Sequence, residues 1–355
     1  MARPTKLKID KEALLHNVAR VRAYAPKSAL MAMVKANAYG HGLECVAQVI
    51  HPFVDFLGVA CIEEAYRLRA CHIKTPIVLM EGVFDVSEIA DVLHYDLELV
   101  IHDPAQLRFL MKPLSKKIKV WIKLDTGMHR LGFPLKDFDE VYRQLQACDW
   151  IESPPRVMTH FACADLLDNP LTPIQMARFR AAIQAYPQSQ CSLANSAAII
   201  GWQDSHEAVV RPGIMLYGIS PFEGKLSTDF GLRPVMHFSS QLVAIQTYEK
   251  GECIGYGQTF CCSQTTRIGV VAAGYGDGYP RHVGSGTSVQ IRGTRVPLVG
   301  RVSMDLLTVD LSSLCDALVG DPVELWGPTL PIEEIARAAN TIPYELVCQV
   351  AERVR

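Results

Sequence analysis

The chain has almost no excess charge of either sign. Its 35 Lys and Arg against 37 Asp and Glu leave a formal net charge of −2. That balance excludes the basic footprint by which a protein grips nucleic acid or an anionic membrane surface. No uninterrupted apolar run approaches the ~18 residues that a membrane-spanning helix needs. The opening residues, Met-Ala-Arg-Pro-Thr-Lys-Leu-Lys-Ile-Asp, lack the apolar stretch of a secretory signal. There is no CxxC pair among the 11 cysteines, which are scattered and odd in number. Cys261 and Cys262 are adjacent, an arrangement that suits neither a zinc site nor an ordinary disulfide. The expectation is a reduced, cytoplasmic protein with no nucleic-acid or membrane partner. Also missing are an HExxH metal motif, a Walker loop, a carboxylate pair at glycosidase-like positions, any internal repeat and any low-complexity segment.

What remains is ordinary folded-protein composition, 49% hydrophobic and 20% charged, over 355 residues. At roughly 150 residues per domain, that length suggests two domains. From about Asp10 to Arg211, short apolar runs rich in β-branched residues alternate with longer stretches of helical period. Asp10 is placed to cap a first helix over 10–24, with Leu14, Val18 and Val21 on one face. Eight strands are expected, at 29–34, 55–60, 76–80, 97–101, 118–124, 156–161, 190–194 and 208–211. Eight strands alternating with helices indicate an α/β fold, a (β/α)₈ TIM-like barrel, with an open doubly wound sheet as the competing reading.

From Pro234 onward glycines crowd together, and short strand-like runs separate them at 241–246, 268–272, 288–291, 296–299, 306–309 and 323–325. This pattern predicts a mostly β C-terminal domain, interrupted by a helix at about 332–339. The expected division is a barrel over 10–233 and a β-rich domain over 234–355. The alternating stretch within 1–9 reads as a strand packed with the second domain.

The chemically capable residues cluster at the ends of the expected barrel strands. Lys35 follows the first strand; Lys123 and Arg130 lie at the fifth; His160 follows the sixth. Asn195-Ser196 follows the seventh and Arg211-Pro212-Gly213-Ile214 the eighth. Taken singly, each has a bland explanation: a solvated lysine, a hydrogen-bonded core histidine, a structural ion pair, a turn glycine. In a barrel, however, all of them lie on the face that carries catalysis. Phosphate sites commonly form at the last two strands, and a buried lysine opposite one suggests a Schiff base with pyridoxal phosphate.

Val-Lys-Ala-Asn-Ala-Tyr-Gly-His-Gly (34–42) resembles the cofactor-lysine signature of the alanine racemases, a fold-type III pyridoxal phosphate family. Leu-Asp-Thr-Gly-Met-His-Arg-Leu-Gly (124–132) and Arg-Pro-Gly-Ile-Met-Leu-Tyr-Gly (211–218) match further blocks. Gly-Tyr-Gly-Asp-Gly-Tyr-Pro-Arg (274–281), Gly-Arg-Val-Ser-Met-Asp (300–305) and Asn-Thr-Ile-Pro-Tyr-Glu (340–345) follow in the same order. The resemblance covers essentially the whole chain. It implies a pyridoxal 5'-phosphate enzyme that interconverts L- and D-alanine and supplies D-alanine for peptidoglycan. It also implies a head-to-tail homodimer whose active sites are each completed by the partner's β-domain.

By motif position, Lys35 would bind the cofactor as a Schiff base, and Tyr39, Ser196, Gly213, Ile214 and Tyr344 would hold its phosphate. Arg211 would face the pyridine nitrogen, with His160 supporting it. Arg130 and Met304 would serve the substrate carboxylate, and Tyr275 would narrow the entrance. Lys123 matches a lysine that is carbamylated in some members. The two bases would be Lys35 and, from the other subunit, Tyr256. Both Tyr256 and Tyr275 sit in Gly-Tyr-Gly contexts, and only the motif order favours Tyr256. A tyrosine's ordinary pKa of about 10 is high for a base at neutral pH, so a neighbouring cation is required, Arg130 or His160. The alternatives are a racemase of broader specificity, a decarboxylase of the same fold type, and a non-catalytic pyridoxal phosphate carrier. The decarboxylases carry a carboxylate where Arg211 stands. A carrier would leave the β-domain residues Tyr256 and Met304 without a role.

Overall fold

The computed structural model describes residues 3–355 and divides into two compact units. Leu15–Leu216 with Pro221–Glu223 form the first; residues 3–14, Tyr217–Ser220 and Gly224–Arg355 form the second. The first strand, β1 (Lys6–Ile9), pairs within the second unit. The helix Lys11–Tyr24 follows, and Asp10 Oδ1 accepts from Ala13 N at 2.9 Å, the cap its sequence calls for. Leu14, Val18 and Val21 are buried along one face.

The first unit is a ring of parallel strands: β2 (Ala29–Met33), β3 (Phe56–Val59), β4 (Ile77–Leu79), β5 (Leu97–Ile101) and β6 (Val120–Asp125). The two-residue β7 (Phe133–Pro134) hangs off β6, and β8 (Arg156–Met158), β9 (Cys191–Ser192) and β10 (Val209–Val210) complete the set. β10 pairs with β2, and the gap to β9 is bridged by Ser192 Oγ donating to Val209 O at 2.7 Å and Arg211 N to Ala194 O at 2.9 Å. Met31, Met33, Val78, Val100, Trp121, Met158 and Val209 come from six strands and fill one core. This is a packed barrel, and the open-sheet alternative is excluded. Two strands, β8 and β9, stop three and two residues sooner than their apolar runs. β8 ends at Met158 because the next carbonyl, Thr159 O, turns aside to accept from Arg211.

The second unit closes on itself. β11 (Met236–Tyr248), β14 (Thr266–Val271), β17 (Leu307–Asp310), β16 (Thr294–Val299), β15 (Ser288–Ile291) and β18 (Pro322–Trp326) are joined antiparallel in that order, and β18 returns to β11. β1 adds to the edge of β11. Alternate residues, among them Val289, Ile291, Val296, Leu298, Val323 and Leu325, are fully buried. β11 is twice the length its pattern suggested; register shifts at Phe238/Ser239 and Leu242/Ala244 let it pass from one set of partners to another.

β12 (Cys253–Ile254) and β13 (Phe260–Cys261) form a separate small hairpin. Here the cysteine reading is corrected. Cys253 and Cys261 are directly opposite in register and joined by a disulfide, whereas Cys262 is a buried thiol. The adjacent pair concealed this, because the bonding partner lies across the hairpin and not beside it in sequence.

Candidate active site

Lys35 leaves the top of β2 in an unusual turn. The four residues after it, Ala36, Asn37, Ala38 and Tyr39, have φ of 53, 54, 54 and 50°. Each non-glycine residue held left-handed costs roughly 1–2 kcal/mol, so the turn needs external support. Glu64 supplies part of it: its buried carboxylate accepts from Asn37 N at 3.1 Å and Ala60 N at 2.9 Å. The Asn37 side-chain oxygen, Oδ1, accepts from Leu43 N at 2.9 Å and from Arg67 Nη2 at 3.0 Å. The turn delivers the Tyr39 hydroxyl against Gly213, where an added Cβ would stand 2.5 Å from Oη. A side chain at 213 would have to displace the Tyr39 ring.

At the end of β6, Asp125 Oδ1 gathers the backbone N–H groups of Gly127, Met128 and His129 at 3.0–3.1 Å. The exposed Arg130 is presented from this tightly wound loop, which β7 closes back onto Leu124 and Asp125. Burial pushes the carboxyl of Asp125 up, but those N–H donors and His129 outweigh it and hold the pKa below the usual range. Two residues earlier, Lys123 is buried. Burial, with help from Arg211, Arg130 and Lys35, pushes its pKa down to about 8.

Arg211 is 3% exposed and both terminal nitrogens of its guanidinium are engaged. It donates to Ser192 Oγ at 2.6 Å, Thr159 O at 2.5 Å and Leu193 O at 3.2 Å, and meets His160 Nδ1 at 3.4 Å. Burial lowers its pKa to about 10, which leaves it cationic at neutral pH. Burial and the positive charge of Arg211 hold His160 well below the usual histidine range, so its ring is neutral. That removes His160 as a cation for Tyr256 and leaves Arg130 of the two considered. Gly213 N donates to Ser196 Oγ at 2.8 Å and Met215 N to the same oxygen at 3.4 Å, which brings Ser196, Gly213 and Ile214 together. Ser196 and Ile214 each open a short helical segment.

Lys35, Lys123, Arg130 and Arg211 are therefore close enough to shift their neighbours' protonation, with Glu81 opposing them. Such a concentration of positive charge around a neutral imidazole calls for an anion. The Tyr39 hydroxyl packs against the bare Gly213 main chain and the Ser196 hydroxyl sits at its N–H, so two hydroxyls and unshielded backbone converge, as a phosphate site needs. The donor set fits a phosphorylated, lysine-bound cofactor.

The remaining sequence-nominated residues belong to the second unit. Tyr256 sits at the tip of the β12–β13 hairpin between two glycines of positive φ and is 69% exposed. Tyr275 and Met304 are 40% and 54% exposed. Their segments are zipped together, with Tyr275 N donating to Ser303 O at 3.0 Å and Gly276 N to Met304 O at 2.8 Å. Tyr344 is half-buried on the helix Pro343–Gln349. Glu64, Thr159 and Ser192 hold the site and were not nominated from sequence. Two of them act on or through main-chain groups, which leave no local pattern to read.

A strand-end lysine and a buried arginine beside converging hydroxyls at the mouth of a parallel (β/α)₈ barrel, with a closed antiparallel unit following in the chain, are the features of a barrel-type enzyme with a site fit for an anionic cofactor. The chain belongs to the alanine racemase family: its N-terminal domain model matches residues 9–221 and its C-terminal domain model residues 235–355. The alanine racemase of Legionella pneumophila (strain Corby) is 48% identical, covering 100% of this chain and 99% of its own. That of Shewanella loihica is 47% identical over 98% of this chain and 97% of its own. Among solved structures, the biosynthetic alanine racemase of Pseudomonas aeruginosa superposes with a TM-score of 0.96 at 43% identity, covering 99% and 98% of the two chains. The alanine racemase of Bartonella henselae, described with covalently bound pyridoxal phosphate, gives 0.90 at 28% identity, covering 99% and 98%.

Proposed function

We propose that this protein is a pyridoxal phosphate-dependent isomerase that interconverts L- and D-alanine with two bases, and that its active sites are composite, built by two subunits of a homodimer. Family membership over the full chain carries the reaction. The positive cradle around Lys35 supports the cofactor. The exposure of Tyr256, Met304 and Tyr275 supports a second subunit. Supply of D-alanine for peptidoglycan is the role this reaction serves. A cytoplasmic setting is part of the proposal; most of the 11 cysteines lie outside the one disulfide, which suits a reducing compartment.

Pyridoxal phosphate, when bound, supplies an electron-withdrawing ring that lets negative charge develop at the substrate Cα. Lys35 anchors it. Tyr39, Ser196, Gly213, Ile214 and Tyr344 hold its phosphate. Arg211, fixed by Thr159, Leu193, Ser192 and His160, would serve the ring nitrogen; staying protonated, it would donate a hydrogen bond without giving up its proton. Arg130 and Met304 bind the substrate carboxylate. Lys35 Nζ moves the proton on one face of Cα and Tyr256 Oη on the other, with Arg130 as the cation that eases ionisation of the phenol. Tyr275 narrows the entrance. The lowered pKa of Lys123 favours the neutral amine, whose nitrogen would bond to the carbon of carbon dioxide and lose one proton to water, and the resulting carbamate would partly offset the surrounding positive charge.

The test is direct. Purified protein supplied with pyridoxal phosphate should racemise L-alanine, and borohydride reduction followed by digestion should place the cofactor mass on Lys35. A label elsewhere, or racemisation of other amino acids in preference to alanine across a panel of L-enantiomers, would overturn the assignment.

A further inference from the structure

In the second unit, four charged side chains interlock beneath the Tyr275–Met304 zipper. Asp277 is completely buried. Arg3, just ahead of β1, places Nη2 2.6 Å from Asp277 Oδ2. Arg353, on the short turn Glu352–Val354, places Nε 2.8 Å from Oδ1. The same two arginines meet again at Asp305, at 2.9 and 2.8 Å from its Oδ1, and Arg3 also donates to Asp305 O at 2.8 Å. The four charges cancel. Exposed ion pairs contribute little to stability, and a fully buried carboxylate is costly to desolvate. The arrangement therefore calls for a role in geometry.

That geometry is visible in the backbone. Asp277 Oδ2 also accepts from Gly274 N at 2.9 Å, which fixes the residue before Tyr275. Asp305 directly follows Met304. The packing admits no side chain on either side of the tyrosine. An added Cβ at Gly274 would lie 2.3 Å from Ser303 O, and one at Gly276 would lie 2.6 Å from Arg353 Nη2. The main chain of Tyr275 and Met304 is thus clamped while both side chains project outward, 40% and 54% exposed.

We propose that Asp277 and Asp305, gripped by Arg3 and Arg353, are positioning residues that set Tyr275 and Met304 for substrate binding. They touch neither substrate nor cofactor. The inference rests on the reading of Tyr275 and Met304 as substrate-side residues. It is tested with Arg353→Ala, Arg3→Ala and Arg353→Lys in the cofactor-loaded enzyme. KM for alanine and the inhibition constant of propionate, a carboxylate probe without the amine, should rise together, roughly tenfold, because small displacements of binding groups have large effects. The kcat should stay within about twofold, while the melting temperature falls in both alanine variants, because each leaves the buried Asp277 carboxylate short of one cation. Arg353→Lys should restore only part of the binding, because lysine cannot match the two-pronged contact. Arg353→Ala and Arg3→Ala with unchanged KM and propionate inhibition would overturn the proposal. So would a parallel loss of kcat and thermal stability without a KM change, which marks a purely structural role. Met304→Ala and Tyr275→Phe separate the underlying reading: if neither alters KM or propionate inhibition, those residues do not face substrate, and it is that reading which fails.

Discussion

Tyr256 and Tyr275 share a Gly-Tyr-Gly setting, yet the fold treats them differently. Tyr256 stands at the tip of a small hairpin, 69% exposed, whereas the main chain of Tyr275 is bonded to Ser303. If Tyr256 is the second base, Tyr256→Phe keeps the ring and loses the proton carrier. Racemisation should fall by roughly 10²–10⁴-fold. In deuterated water the variant should still exchange the α-hydrogen of D-alanine through Lys35, while exchange of L-alanine nearly stops. Tyr275→Phe should raise KM more than it slows proton transfer; the reverse pattern would put the base on the other motif. Lys123 makes a second prediction. With its pKa at about 8, roughly a tenth of it is neutral at pH 7, against less than about a thousandth for an ordinary lysine. ¹³C-labelled bicarbonate should therefore give a carbamate resonance that grows as pH rises from 6 to 9 and is missing in Lys123→Ala. No resonance at any pH would exclude the modification.

Elements place these residues through contacts that the sequence shows only in part. The barrel was legible because buried parallel strands read as unbroken apolar runs, and their ends named Lys35, Lys123, His160, Ser196 and Arg211. The left-handed turn after Lys35 was not legible, because Ala-Asn-Ala-Tyr carries no glycine to signal positive φ. Nor was the cage of Arg211, two of whose four partners are the main-chain carbonyls of Thr159 and Leu193. β11 was read at half its length, since its missed opening, Met236–Ser240, offers only two apolar side chains among His237, Ser239 and Ser240. The turn yields a prediction. Glu64→Ala leaves the Asn37 and Ala60 N–H groups without their acceptor, a loss of about 1–3 kcal/mol. It should lower the melting temperature and slow cofactor attachment at Lys35, read as the rate of borohydride-trapped label; an unchanged rate would mean that the turn supports itself. The loop after β6 behaves similarly. Asp125 is held below the ordinary carboxylate range, so the stabilisation it provides is present above about pH 4 and lost as pH falls through its folded value. Arg130 should consequently stay in place throughout the neutral range, whereas Asp125→Ala should raise KM for alanine.

At the scale of the molecule, the proposed site residues fall into two groups. Lys35, Arg130 and Arg211 belong to the first unit, and Tyr256, Met304 and Tyr275 to the second, where they are exposed on a single chain. A partner subunit gives that exposure a purpose, since a closed two-fold dimer repeats the same pairing at both sites. The central claim is that Lys35 of one subunit works with Tyr256 of the other. The decisive measurement mixes Lys35→Ala with Tyr256→Ala, each inactive alone, after confirming by native mass spectrometry that subunits exchange. In an equal random mixture half of the dimers are mixed, and each has one site with both bases intact, so roughly a quarter of wild-type activity should return. Mixed dimers that form and stay inactive would contradict the account.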